Sequence, residues 1–352
     1  MFVFKASLSR GFLLTASFIF LLILADTSFL IPARHLRKEM PVPKIKETDF
    51  LAEKERLLSI VKTDTPREAL NELARQARIE PVISSSCHEL AHEIGQASQA
   101  KYQSFAEAVQ YRDELCNSGY LHGVIEAYFV QSSNILTALQ AVCPTHNPGS
   151  FLGWECYHGV GHGVMFYTNN DLPRAITLCE TYEDEASEDS CINGLFMENF
   201  NADQNYHSSR YLDPQNPTGI CALQKERHKG SCYLYSIGYI LKLNGEDYKD
   251  AISQCATFPD PYQTACASGL GSQVLRMTMD VDILLDVCRH SSRPLIGYSC
   301  ASGAGAWYVF HSASLAESHA LCDTIRSYAY KSACHYGVTS TERLFNENDP
   351  TL

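Results

Sequence analysis

The alternation of apolar and polar positions divides the chain into an apolar leader, a short proline-marked connector and a long body of amphipathic helices. Lys5 and Arg10 precede an apolar run from Gly11 to Ala25, which continues after a break at Asp26 as far as Ile31. A basic flank followed by an apolar run is the form of an export signal. The whole stretch approaches the ~20 residues that a spanning helix requires. No small-x-small cleavage site follows, so residues 1–33 read as an uncleaved signal anchor in preference to a cleaved signal peptide. Pro32, Pro41 and Pro43 punctuate the basic stretch that comes next, and residues 34–47 read as a linker. Phe50, Leu51, Leu57, Leu58 and Val61 then fall on one side of a helix. Thr65-Pro66-Arg67-Glu68 opens a second helix with a capping box and a proline at its first position.

From residue 48 to residue 345 one pattern recurs. An apolar-periodic helix ends at a cysteine, as in Ile283-Leu284-Leu285-Asp286-Val287-Cys288. A polar loop follows, and a second cysteine starts another helix, usually with glycine three residues on: Cys156…Gly159, Cys191…Gly194, Cys266…Gly269, Cys300…Gly303 and Cys334…Gly337. The repeat at Cys232 has Tyr235 there instead. The second cysteines are spaced by 35, 41, 34, 34 and 34 residues, and a fixed period in this range marks a solenoid. The predicted fold is all-α, a right-handed solenoid of about six or seven disulfide-stapled α/α hairpins behind the N-terminal signal anchor, with residues 346–352 as a tail. Glycine one turn into the second helix lets a neighbouring helix approach closely, a gain that must outweigh a propensity cost of ~1 kcal/mol.

Cys143/Cys156, Cys179/Cys191, Cys221/Cys232, Cys255/Cys266, Cys288/Cys300 and Cys322/Cys334 each enclose ten to twelve residues. Six pairs at one spacing behind an export signal form a disulfide framework. Each bridge should stabilise by roughly 2–4 kcal/mol by closing a short loop. Cys87 and Cys116 remain; elimination offers a bridge between them, joining the first two second helices, but the sequence leaves that pairing open. Zinc knuckles are the rival reading, but tight CxxC spacings are absent. The A…C-loop-C…G pattern resembles the cysteine-rich α/α repeat proteins of the tetratricopeptide-like superfamily, over roughly Cys143 to Gly337 and a degenerate unit before it. That resemblance implies a curved array used for binding.

Composition narrows the picture further. Of 352 residues, 45% are hydrophobic and 19% charged, so the body folds. A net charge of −12 with no basic stripe argues against nucleic acid as a partner. Arg34, Arg37, Lys38, Lys44 and Lys46 follow the apolar run and by the positive-inside rule would hold that flank in the cytoplasm. The cysteines argue the other way and carry more weight. They place the C-terminal domain outside the cytoplasm, in the cell envelope or secretory pathway, with the N-terminal helix as the membrane contact.

The early repeats carry candidate chemistry that the later ones lack. His88/His92, His122/Glu126 and His158/His162 are pairs at i and i+4, which share a helix face. If the second helices stack in register, His92, His122 and His162 form a row, with His88 and His158 one turn earlier. Five imidazoles and a carboxylate on one surface suit a divalent transition metal, zinc, copper or iron, held as one ion or as two that share ligands. Met197 corresponds in position to His162 and reads as a core methionine, and Glu198 beside it is a weaker ligand candidate.

His88-Glu89-Leu90-Ala91-His92 resembles the zincin H-E-x-x-H motif over five residues. That resemblance implies two zinc-binding histidines and Glu89 as the water-activating base, with His122 or Glu126 as third ligand. A plain reading of Glu89 stands beside it: Ser86-Cys87-His88-Glu89 is a capping box. The other eight histidines are scattered and read as structural or surface residues. No nucleophile elbow, P-loop or dinucleotide fingerprint is present.

Two functions remain open. One is a metal-dependent protein with His88, His92, His122, His158 and His162 as ligands and Glu89 or Glu126 as general base, performing hydrolysis or metal-based oxidation. The other is a non-catalytic scaffold that takes a protein or peptide ligand on its concave face. The disulfide framework has its own check. Thiol labelling of the denatured, non-reduced protein should find almost no free cysteine, whereas many free thiols would mean a reducing compartment and a different topology.

Overall fold

The computed structural model describes residues 47–144, 146–201 and 209–346. The expected signal anchor lies outside these residues, as do the linker apart from Glu47 and the tail apart from Asn346. The described residues form eighteen α-helices and no strand. α1 (Glu47–Thr63), α2 (Pro66–Ile79), α3 (Pro81–Ser85), α4 (Cys87–Tyr102) and α5 (Phe105–Ala108) open the body. Long and short helices then alternate: α6 (Leu115–Gln131), α7 (Ile135–Val142), α8 (Phe151–Tyr167), α9 (Leu172–Cys179), α10 (Glu185–Asn201), α11 (Gly219–Ala222), α12 (Glu226–Leu243), α13 (Tyr248–Cys255), α14 (Asp260–Thr278), α15 (Val281–Cys288), α16 (Pro294–Ser312), α17 (Leu315–Asp323) and α18 (Tyr328–Asn346). Among the described residues no helix is long and apolar enough to cross a membrane.

The short helices start at side-chain caps. Asn134, Asp171, Asp247, Asp280 and Ser314 each accept a hydrogen bond from a backbone N–H in the first turn of α7, α9, α13, α15 and α17, satisfying donors that a helix start leaves orphaned. Thr65 caps α2 as predicted, with Pro66 in the first turn. Ser86 does not cap α4 with its side chain. Because α3 runs straight into α4, Ser86 has φ −107° and ψ 8° in place of the extended backbone of a capping residue. The capping-box reading of Glu89 is therefore set aside.

All fourteen cysteines are bridged, in the six predicted pairs and in Cys87–Cys116. One expectation is corrected. The second cysteine of each hairpin does not start the long helix, which begins five or six residues earlier. Two prolines that read as loop punctuation, Pro261 and Pro294, sit in a first helical turn, where a missing N–H removes no intrahelical bond. Each of the six predicted bridges thus ties the end of a short helix to the second turn of the following long one, whereas Cys87–Cys116 joins the starts of two long helices, α4 and α6.

Successive long helices pack directly on one another, α4 on α6 and so on through to α18. Glycine sets the spacing. A Cβ on Gly194 would lie 1.9 Å from the carbonyl oxygen of His158, one on Gly303 2.0 Å from that of Ser268, and one on Gly337 1.9 Å from that of Ser302. In each case a residue three after one cysteine meets a residue two after the preceding one, so the register repeats. The succession curls until its end meets its beginning: α16 touches α6, α18 touches α8, and Phe310 packs on Trp154 at 4.4 Å between ring centroids.

Gly194→Ala should lower stability by about 1–3 kcal/mol in urea unfolding, the range for overpacking a contact that cannot yield. Gly230, with nothing within 4 Å of its added Cβ, is the control; its alanine variant should gain up to about 1 kcal/mol of helix propensity. Equal effects at the two positions would refute the close-approach account.

Candidate metal centre

Three adjacent long helices carry the five predicted histidines. α4 brings His88 and His92, α6 His122, and α8 His158 and His162, all buried. The expected row closes into a triangle. His92–His122, His122–His162 and His92–His162 ring centroids are 5.4, 5.0 and 5.1 Å apart. The outer helices approach so closely that their side chains converge over α6: a Cβ on Gly123 would meet the His92 carbonyl oxygen at 2.0 Å. His158 lies 5.1 Å from His162 and 5.4 Å from His122.

The hydrogen bonds fix most of the tautomers. At the start of α6, Cys116, Asn117 and Ser118 all adopt positive φ, a left-handed run that costs each residue roughly 1–2 kcal/mol. It turns the Cys116 carbonyl toward α4, where it lies 2.7 Å from His88 Nδ1. That nitrogen must donate, so His88 Nε2 is an acceptor, and His92 Nε2 donates to it over 3.0 Å. His92 Nδ1 is then a lone pair. It lies 2.7 Å from Glu126 Oε1, and that oxygen has no hydrogen-bond partner. Two acceptors this close need a cation between them, a proton or a metal ion. Burial pushes the Glu126 carboxyl up to about 8, which is the proton's share of that demand. Gln96 Nε2 donates to the other Glu126 oxygen at 2.7 Å.

His162 Nδ1 donates to Glu198 at 2.9 Å, leaving Nε2 as a lone pair without a partner. His122 has no hydrogen bond at either nitrogen; its Nε2 lies 3.7 Å from Glu155 Oε2, beyond hydrogen-bonding range. Both Glu155 oxygens and His158 Nδ1 are also buried without partners. Each such group costs about 1–3 kcal/mol, so their concentration here calls for a ligand. Ligand atoms of His88, His122 and His162 lie within 4.8 Å of one another, and so do those of His92, Glu126 and His162. The two triads share His162.

Four of the imidazoles are pushed toward the neutral form, the one that binds metals. Burial drives His88, His92 and His158 below the ordinary histidine range, and brings His122 to about 4. Glu89 departs from the sequence expectation: its side chain is 45% exposed and pairs with Arg276 of α14 at 2.6 Å. Desolvation opposes its ionisation, and the guanidinium more than offsets that, leaving its carboxyl below the usual range.

A cavity of about 320 Å³ opens onto His88, His122 and His158. Met197, expected in the core, lines it, and so does Tyr235, which stands where the other repeats have glycine. Sequence reasoning missed Gln96, Glu155 and Arg276. Glu155 carried a faint signal, an acidic residue immediately before its repeat's cysteine; Arg276 carried none. A separate group, Glu180, Glu188 and His228, is already neutralised by Lys225 at 2.5 Å from Glu180 and Arg227 at 2.6 Å from Glu188. No family model, curated protein or solved structure matches the chain.

The depressed His122 value gives a signed prediction. The unfolded chain takes up this proton near the ordinary 6.5, whereas the folded chain takes it up only near 4. Stability is therefore full above about pH 6.5 and falls as pH drops through that window, by about 3 kcal/mol for this residue. In metal-stripped protein, His122→Leu should remove that part of the acid destabilisation. Identical pH slopes for variant and wild type would refute it.

Proposed function

We propose that the chain is an exported, membrane-tethered protein whose hairpins form a solenoid curled around a divalent transition-metal centre, and that it acts as a metal-dependent hydrolase or oxidase. The observation that carries this reading is the concentration of buried, unmatched ligand atoms on His122, His162 and Glu126 beside His88 and His92, where two triads share His162. Bracing by a carbonyl or carboxylate on the far nitrogen is how metal-bound histidines are oriented. The Cys116 carbonyl does this for His88, and Glu198 for His162. Neutral imidazole with carboxylate suits zinc, copper or iron.

His88, His92, His122, His162 and Glu126 are the proposed ligands. His158, stacked on Trp154 at 4.6 Å, faces the cavity beside them. His88 and His122 line the chamber, so an ion held by them would be reachable from it, as a catalytic site requires. When bound, it would supply Lewis-acid or redox chemistry, and Glu126 would hold or pass a proton. Glu89 serves less well as the base, since its carboxylate is committed to Arg276. The alternative, a scaffold for a protein or peptide on the concave face, has less support, because α16 and α18 fold back over that face. Seven disulfides fit an oxidising compartment outside the cytoplasm.

The full chain, expressed in an oxidising compartment without added chelator, should carry at least about one transition-metal ion by elemental analysis, which also identifies the metal. His122→Ala and His162→Ala should lose most of it. Chelation should lower the wild-type melting temperature, since an ion at a hundred times its dissociation constant adds about 2.7 kcal/mol. Sub-stoichiometric metal in wild type and variants alike would overturn the proposal.

A further inference from the structure

Both tryptophans of the chain, Trp154 and Trp307, line the cavity, together with Tyr235 and Phe310. Its volume is at the small end of ligand chambers. Among the described residues, Arg276 is the one lysine or arginine on its wall. It also borders a second cavity of about 400 Å³, which shares His88, Asn117 and Trp307 with the first. Arg276 is set into the wall with its side chain 16% exposed, while Glu89 reaches it from a more open position at 45%. The contact is one bond, Arg276 Nη2 to Glu89 Oε1 at 2.6 Å. A guanidinium offers five N–H donors in a planar fork suited to carboxylates, so most of its capacity is unused.

We infer that Arg276 is the anion-recognising residue of this chamber, that the ligand is a small aromatic carboxylate, and that Glu89 is a built-in carboxylate that gives way to it. The inference deepens the metal-centre reading and rests on it for the chemistry that follows binding. Glu89 shows that a carboxylate fits the guanidinium here. A partly solvated ion pair contributes little stability, so exchanging one carboxylate for another costs little. The aromatic walls take the ligand's ring, and His88, shared by both cavities, sets the carboxylate end close to the proposed centre. Glu155 stands on the same chamber wall beside His122, so an anion is directed to Arg276 and away from that carboxylate.

The two wall tryptophans make the test direct. Their fluorescence is followed while 3-phenylpropanoate, or its neutral amide, is titrated into the full chain as purified and again after chelation. The acid should perturb the emission and bind at least about tenfold more tightly than the amide in both preparations. Arg276→Gln should abolish that preference, and Glu89→Gln should tighten the acid several-fold by freeing the guanidinium. If Arg276→Gln fails to fold by near-ultraviolet circular dichroism, Glu89→Gln carries the test. Equal affinities for acid and amide, an unchanged preference in Arg276→Gln, or no gain in Glu89→Gln would overturn the inference. Metal content, measured on the same samples, separates the two ideas. Acid preference without metal would sink the metal centre alone, and metal without acid preference would sink this inference alone.

Discussion

The backbone-to-backbone approach of neighbouring long helices is the constraint on which everything else depends. Gly194 against His158, and Gly123 against His92, leave no room for even a methyl group between helices. At that separation, side chains flanking the contact cannot spread apart. They are driven together over the central helix α6, and five imidazoles share a space that ordinary helix packing would divide. The same spacing, repeated at Gly303 and Gly337, curls the array until α16 and α18 reach its first helices. That closure makes a concave face into a chamber.

A packed set of buried imidazoles is costly in itself. Burial favours the uncharged form of His88, His92, His122 and His158, and an uncharged imidazole carries a lone pair that must be matched or lose its hydrogen-bond energy. The protein matches the outer nitrogens with Cys116 and Glu198 and leaves the inner ones of His122, His158 and His162 unmatched. The left-handed run at Cys116, Asn117 and Ser118 shows how much local backbone energy is committed to aiming one carbonyl at His88. Strain of this kind persists where surrounding structure over-determines it, and the Cys87–Cys116 bridge and the α4–α6 packing do so here. The close helix spacing recurs without such a cluster at Gly303 and Gly337, so the spacing brings the polar groups together and does not depend on them.

The disulfides act at a different level. Six of the seven fix a short outer helix to the second turn of the long helix after it, so the outer layer cannot slide along the inner one; the seventh, Cys87–Cys116, ties α4 to α6. Sliding by one residue would rotate a long helix by about 100° and turn its histidines out of the cluster. The bridges thus protect a register that the glycine contacts define.

The helical class, six of the seven cysteine pairings and the histidine pairs one helical turn apart were legible in the chain alone, while the Cys87–Cys116 pairing was left open. All are consequences of local spacing: periods of 3.6 residues, loops of fixed length and i, i+4 neighbours. The starts of the long helices were misplaced, and at α14 and α16 the reason is that proline reads the same way in a loop and in a first helical turn. The ion pair of Glu89 could not be foreseen because its partner lies 187 residues away, and nothing local to either residue announces the other. Whether His92, His122 and His162 form a row or a triangle was likewise undecidable from spacing, since it depends on how sharply three helices curve past one another. Local sequence set which face of each helix the ligands occupy, and only the tertiary approach of backbones, settled over distances no sequence window spans, decided that those faces meet.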